Sequence, residues 1–496
     1  MNRLLCSIAI AALSIASVAS AQPKGTLRVS HEIGSGDASS LDPASRGRVF
    51  QITDKLMSRL VRPGIDGKPA PDLAASWSAN AGADEWTFKL RANVKFHDGK
   101  PMTADDVVYT LRRIQDPKTD SPVRPVIAMI SSSDSVDATT VRMKLSQPFA
   151  DLPLQLTDYR LMIIPKDSGD TIKSTGIGTG PFKLERFDAR GTTVLVANED
   201  YFDGAPKVAR LEVIGISDAQ ARVQALLGGQ LDILPGMTRQ QRTLLERSNR
   251  HKVQRVETGN WRGIVFKADS KPFDDPRVRK ALRMAVDRPA MLALAAGADG
   301  GTTTCDSPVG PKDQYRATAQ SCPRDVAGAK ALLAQAGFPN GIDIELLTST
   351  VEAVWPTIAE AYQQQVAEAG IRVKITSVPT DGYWNQVWRK RDVVMTRWNE
   401  RPADSALNEI YRGGATWNES FYSDPKFDAL LDDARRELDF EKRKALYVRA
   451  QDHLWETGST LVAYHVTDNV GMTSRVQDLD AVEMFTIRWH LVRVTD

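Results

Sequence analysis

Histidine and cysteine are scarce in these 496 residues, with six of the first and three of the second, and no sign of charge dominates, 64 lysines and arginines standing against 62 aspartates and glutamates. A formal net charge of +2 gives the chain no overall field for nucleic acid or an anionic membrane surface. The histidines, His31, His97, His251, His453, His465 and His490, are scattered without ligand spacing, so no metal site is expected. No G-x-S-x-G, H-E-x-x-H, Walker A or C-x-x-C motif occurs, which removes the usual signatures of esterase, zinc protease, nucleotide triphosphatase and thiol redox chemistry. Gly176, Gly178 and Gly180 have the look of a phosphate loop, but Pro181 follows them where a helix would have to start. Tandem repeats and low-complexity tracts are also missing. No cofactor and no catalytic group is expected.

What is present begins with one apolar run. Arg3, the stretch from Leu4 to Val18, and Ala19-Ser20-Ala21 before Gln22-Pro23 form a secretory signal peptide, expected to be cleaved after Ala21. The run is shorter than the roughly 20 apolar residues that cross a bilayer. Cys6 sits near its start, whereas an acylated lipoprotein cysteine would follow it, so the exported product is expected without a membrane anchor. Cys305 and Cys322 remain after processing. An oxidising compartment favours one bridge between them over two free thiols.

Elements follow from period and punctuation. Trp86, Phe88 and Leu90 alternate with polar residues and are followed by Val94 and Phe96, predicting a half-buried hairpin. Thr103-Ala104-Asp105-Asp106 reads as a capping box, with Asp in place of Glu, before Val107, Leu111 and Ile114 at helical spacing. Past Ser217, an apolar face of Ala219, Val223, Leu226 and Leu227, with Gly228 as a cap and Leu231 to Leu234 as a buried strand, predicts a βαβ unit. Beyond Trp261, helices starting at Asp275-Pro276, Asp325 and Asp424-Pro425 alternate with strands at Ile342–Leu346, Val373–Ile375 and Val393–Met395. The first helix of this series should carry Val278, Leu282, Ala285 and Val286, and the alternation predicts a mostly parallel sheet.

Open α/β sheets place ligands at a crevice beyond the carboxyl ends of their strands. Trp398, Asn399, Glu400 and Asp404 fit that location, with a carboxylate available to pair with a ligand ammonium. Trp261, Tyr383, Trp384, Trp388 and Trp417 are candidate walls that would cover an apolar ligand body and exclude water. The competing reading for each is ordinary core packing, and for Asp404 a turn or helix-cap role.

These segments resemble the family 5 extracellular solute-binding proteins, the group containing periplasmic dipeptide- and oligopeptide-binding proteins. The resemblance is collinear through Ser40-Leu41-Asp42-Pro43, Asp72-Leu73-Ala74-Ala75-Ser76-Trp77, Val94 to Val107, Gly178-Thr179-Gly180-Pro181-Phe182, Asn198 to Phe202, Gly229-Gln230-Leu231-Asp232 and Pro272 to Arg279. It implies an α/β, two-lobe periplasmic binding protein of cluster C type with an extra α+β subdomain in the first lobe. The implied division is 1–21 signal peptide; 22–50, 176–262 and 472–496 core of lobe I; 51–175 the extra subdomain; and 263–471 lobe II. It further implies that an aspartate six residues after a strand-end tryptophan, here Asp404 after Trp398, receives a peptide amino terminus. Where dipeptide-binding relatives carry an arginine for the ligand carboxylate, this chain has Thr350-Val351-Glu352-Ala353. The implied activity is capture of a peptide or similar small amine-bearing solute in the periplasm, by a monomer that delivers it to an ABC permease with ATPase subunits. Other readings on the same fold are a receptor for an opine, metal complex, haem or oligosaccharide, and an extracytoplasmic sensor or chaperone. A secreted two-carboxylate hydrolase is the remaining alternative.

Overall fold

In the computed structural model, which describes residues 22–31, 39–479 and 486–495, the longest strands are His251–Phe266 and Thr460–Thr473. The expected signal peptide and its cleavage site lie outside the described residues. The two long strands pair antiparallel, with register shifts between Glu257 and Trp261 and between Arg262 and Gly263. On one side of the first shift, Met472 and Gly471 pair with Ile233–Leu234, which leads through Thr26–His31, Arg210–Gly215 and Thr192–Ala197 to Phe182–Arg186. On the other side, Trp261 to Phe266 pair with Val393–Trp398, which leads to Ile342–Thr348 and Ile371–Ser377. The long strands therefore belong to both lobes, and each lobe closes its own core. Leu27, Val29, Leu211, Val213, Val256 and Met472 meet in one core, and Ile264, Phe266, Leu346, Val394 and Leu461 in the other.

The second lobe's sheet is mixed where a mostly parallel one was predicted. Ile342–Thr348 runs parallel to both Ile371–Ser377 and Val393–Trp398, as helix crossovers require. The long strands enter and leave the lobe side by side in opposite directions, and so add an antiparallel flank.

The subdomain is an antiparallel sheet of Ala74–Ala79, Glu85–Leu90, Thr140–Leu145 and Ile130–Asp137 beneath the helix Ala104–Gln115. Trp86, Phe88 and Leu90 face its core, with Val107, Leu111 and Ile114 of the helix. Val94 and Phe96 are buried there too, but beyond the strand, which ends at Leu90 before a turn at Asn93, where φ is 62°; they flank Lys95, which bridges Pro101. The capping box forms as predicted, Thr103 N donating to Asp106 Oδ2 at 2.7 Å.

Aspartates start the predicted helices. Asp218, Asp275, Asp325 and Asp424 each accept from a main-chain N–H of the first turn. The helix Pro276–Met284 stops before Ala285 and Val286, because Asp287 caps a separate helix, Arg288–Ala295. Gly178 and Gly180 press against the backbone of Leu56. A Cβ at Gly180 would lie 2.4 Å from the Leu56 carbonyl carbon, so these glycines serve close chain packing and not a phosphate.

The segment 149–157 of the subdomain reaches across to the second lobe. Ala150 N donates to Arg435 O at 2.8 Å, Tyr315 Oη to Asp151 Oδ1 at 2.9 Å, and Ser405 Oγ to Gln155 Oε1 at 2.6 Å. Leu154 is buried in the same cluster as Trp261, Tyr315, Trp398 and Leu407. In the second lobe Cys305 and Cys322 are joined, their Cα atoms 5.6 Å apart.

Candidate functional site

The carboxyl ends of Ile342–Thr348 and Val393–Trp398 lie beside the hinge portion of the long strands, forming the crevice edge of the second lobe. Register sets the residues there, with Trp261 opposite Trp398 and Arg262 opposite Arg397.

A row of indoles lines this edge. Ring centroids are 6.0 Å apart for Trp384 and Trp388, 5.9 Å for Trp388 and Trp417, and 6.4 Å for Trp398 and Trp417. Trp417, 42% exposed, offers a large apolar face. Behind the row sits Glu419, a buried carboxylate that accepts from Trp388 Nε1, from Trp398 Nε1 at 2.8 Å and from Thr396 Oγ1 at 2.7 Å. Burial pushes the Glu419 carboxyl pKa up, opposed by the donors from Trp388, Trp398 and Thr396. It fixes the orientation of two rings of the wall.

Of the other predicted wall residues, Trp261 is 1% exposed and lies in the core behind Trp398. Tyr383 is buried and donates to Met395 O at 2.7 Å. Its ring packs 5.3 Å from Trp384, so it supports the wall from the core side. Asn399 is exposed at the strand end.

Glu400 stands at the hinge. Its Oε2 accepts from Gly259 N at 2.5 Å and its own N–H donates to Asn260 Oδ1 at 2.7 Å, both partners lying within the register shift of the long strand. Burial raises its carboxyl pKa, while the Gly259 N–H and nearby Lys312 favour the charged form.

Asp404 is placed otherwise than predicted. It lies in the first turn of the helix Ala403–Ile410, 3% exposed, and both its oxygens are taken. Oδ1 accepts from Asn408 Nδ2 at 2.8 Å, Arg435 Nε at 2.8 Å and Tyr447 Oη at 2.9 Å, and Oδ2 accepts from Arg435 Nη2 at 2.7 Å. A ligand ammonium there would have to displace the internal guanidinium, so the amine-binding role expected of this residue does not fit the geometry. Nor does Asp404 cap the helix, whose N-cap is Pro402; its carboxylate instead ties the helix to Arg435 and Tyr447.

Three charged groups escaped the sequence reading. Arg262 Nε donates to Glu352 Oε2 at 2.9 Å, and Arg397 Nε lies 3.0 Å from Glu352 Oε1. In the sequence the two arginines show only as neighbours of tryptophans, Trp261-Arg262 and Arg397-Trp398. His465 is a core histidine and His97 a half-buried one, whose Nδ1 accepts from Gly178 N at 3.3 Å, and desolvation pushes both rings down to about 4. Among the described residues no group of histidine, cysteine, aspartate and glutamate has a metal-holding arrangement, and no helix is long and apolar enough to cross a membrane.

Two α/β lobes joined by paired strands, with an aromatic and charged edge at the junction, define a two-lobe solute-binding protein. The chain belongs to the bacterial extracellular solute-binding proteins of family 5, whose middle-region model matches residues 68–418. It is 28% identical over 402 residues to the glutathione-binding protein GsiB of Escherichia coli K12, covering 77% of this chain and 78% of that one. Among solved structures it is similar to the ABC transporter substrate-binding protein CtaP of Listeria monocytogenes, with TM-score 0.83 and 22% identity over 96% of this chain and 100% of that one. It is also similar to AgaA of A. tumefaciens R10, solved in complex with agropinic acid, with TM-score 0.78 and 26% identity over 95% and 99% of the two chains.

Proposed function

We propose that this protein is the periplasmic solute-binding component of an ABC importer, holding a small peptide-like or opine-like solute between its lobes and handing it to a membrane permease. The family match supports capture without chemistry, and the indole row at the crevice edge is the observation that carries the reading. Flat aromatic faces bury an apolar solute body, and binding that engages both lobes stabilises the closed arrangement. The division we propose is 22–50, 176–262 and 472–496 as lobe I, 51–175 as its subdomain and 263–471 as lobe II, although Ile52, Leu56, Met162 and Ile172 of the subdomain's span pack into the lobe I core. Solute contact falls to Trp384, Trp388, Trp398 and Trp417, with Asn399 at the rim. With Asp404 engaged by Arg435, the carboxylate for a solute ammonium is Glu400, whose Oε1 accepts no hydrogen bond among the described residues. The relatives' named ligands, glutathione and agropinic acid, set the first panel.

Native mass spectrometry of the protein isolated from its own periplasm is expected to show a bound small solute released intact. A product formed by the purified protein, or no solute from the periplasm or the panel, counts against the reading. Glu400→Gln is expected to weaken an amine-bearing solute by about 1.5–3 kcal/mol, the worth of a hydrogen bond to a charged group, in calorimetry. Unchanged affinity would remove Glu400 from the site.

A further inference from the structure

The crevice edge holds a second recognition element besides the indoles. Arg262 and Arg397 are register partners on adjacent antiparallel strands, so their guanidinium groups emerge side by side at the end of the second lobe's sheet. Glu352, in the loop just before the helix Trp355–Ala367, is seated between them and touches each through its Nε edge. A guanidinium offers five N–H donors, two of which point away from its Nε along the terminal edge and match a carboxylate's two oxygens. Among the described residues, Arg397's terminal nitrogens donate to no protein acceptor, and Arg262 uses one of its own on Trp261 O at 3.3 Å. Arg397 is exposed, with its guanidinium carbon 5.8 Å from the centre of the Trp384 ring at the start of the indole row. Asp468 on the second long strand is also close to Arg262, which favours its charged form while its burial, the larger effect, disfavours it.

We propose that Arg262 and Arg397 form a carboxylate-binding site, in which Glu352 spaces and orients the two cations while their outer edges take a carboxylate of the solute. The site extends the capture reading above and gives the solute a defined polarity: its anionic end lies by Trp384 and Arg397, and its amine lies towards Glu400. The arrangement selects small molecules carrying a carboxylate over their amides or esters. Both arginines stand on the second lobe's sheet, Arg262 at the hinge boundary, so the pair engages such a ligand before the lobes meet.

Glutarate serves as the probe, with sodium chloride at matched ionic strength as the control, because a small dicarboxylate reports the site whether or not the physiological solute is known. In Glu352→Ala the two guanidinium groups lose their internal partner. Glutarate is expected to raise the melting temperature of this variant and to perturb its tryptophan fluorescence at a concentration at least tenfold below that needed with the wild-type protein. Adding Arg262→Gln and Arg397→Gln is expected to abolish both effects. Glu352→Gln, which keeps the side-chain shape, gives the same comparison should the alanine variant fold poorly. Equal responses to glutarate and chloride in both Glu352 variants, or a glutarate response that survives loss of both arginines, overturns the proposal. Because the readout needs no captured solute, the carboxylate site and the transport reading fail separately.

Discussion

At the scale of single residues, the second lobe shows how a carboxylate's neighbours decide its task. Asp404 and Glu400 are four residues apart and both were candidates for an ammonium. One is saturated by Arg435, Tyr447 and Asn408, and the other keeps an oxygen clear of protein donors at the hinge. Breaking a buried ion pair from one side leaves the other charge without compensation, typically at 3–5 kcal/mol. Asp404→Asn is therefore expected to lower unfolding free energy by about 3 kcal/mol in urea titrations, because Arg435 loses its bidentate partner. Solute affinity of the folded fraction should stay within a factor of about two, well under the tenfold that 1.4 kcal/mol represents. A large affinity loss with unchanged stability would restore the ammonium-binding role.

Among elements, the hinge strands carry a titratable post. His465, on the second long strand, sits between the register shift and the loop that holds Cys305, with Nδ1 3.1 Å from Gly259 O and Nε2 3.0 Å from Ser307 O, and the neutral ring donates to one of these two carbonyls. Burial pushes its pKa down from 6.5 to about 4. A depressed folded-state value means the neutral ring's contribution is complete above pH 6.5 and is lost as pH falls towards 4. His97 acts in the same direction, whereas Asp72 and Asp151, both raised to about 6, act oppositely, losing stability as pH rises from 3.8. The difference between wild type and His465→Gln isolates one group. The variant's unfolding free energy is expected to fall less steeply between pH 6.5 and 4, and parallel pH profiles would contradict the assignment.

Much at this scale was legible beforehand. The aspartate caps, the Thr103 box and the alternating Trp86, Phe88 and Leu90 are local signals, and their physics is complete within a few residues. The antiparallel flank of the second lobe and the engagement of Asp404 were not legible. Both depend on partners far along the chain: the long strands pair across some two hundred residues, and Arg435 reaches Asp404 from the next helix. Of the rings named from the sequence, Trp384, Trp388, Trp398 and Trp417 gather along one edge while Trp261 and Tyr383 lie in the core, a split that follows from strand facing, which tryptophan content does not encode.

For the whole molecule, the two lobes are attached at more than the paired long strands. The segment 149–157 plants Leu154, Asp151 and Gln155 in the second lobe, where Asp151 also lies 3.2 Å from Arg443 Nε. A door hung from two fittings swings about the single line through both, and its free edge alone travels. Lobe closure is accordingly expected to be a one-axis swing that leaves this junction made throughout. Paired cysteines replacing Gln155 and Ser405, once oxidised, should still permit solute binding and the accompanying fall in radius of gyration seen by small-angle scattering. If the cross-link abolishes that compaction, the junction is a latch and not a pivot. With a pivot there, the indole row and its arginine pair sweep along a fixed arc, so every solute is met by the same surfaces in the same order.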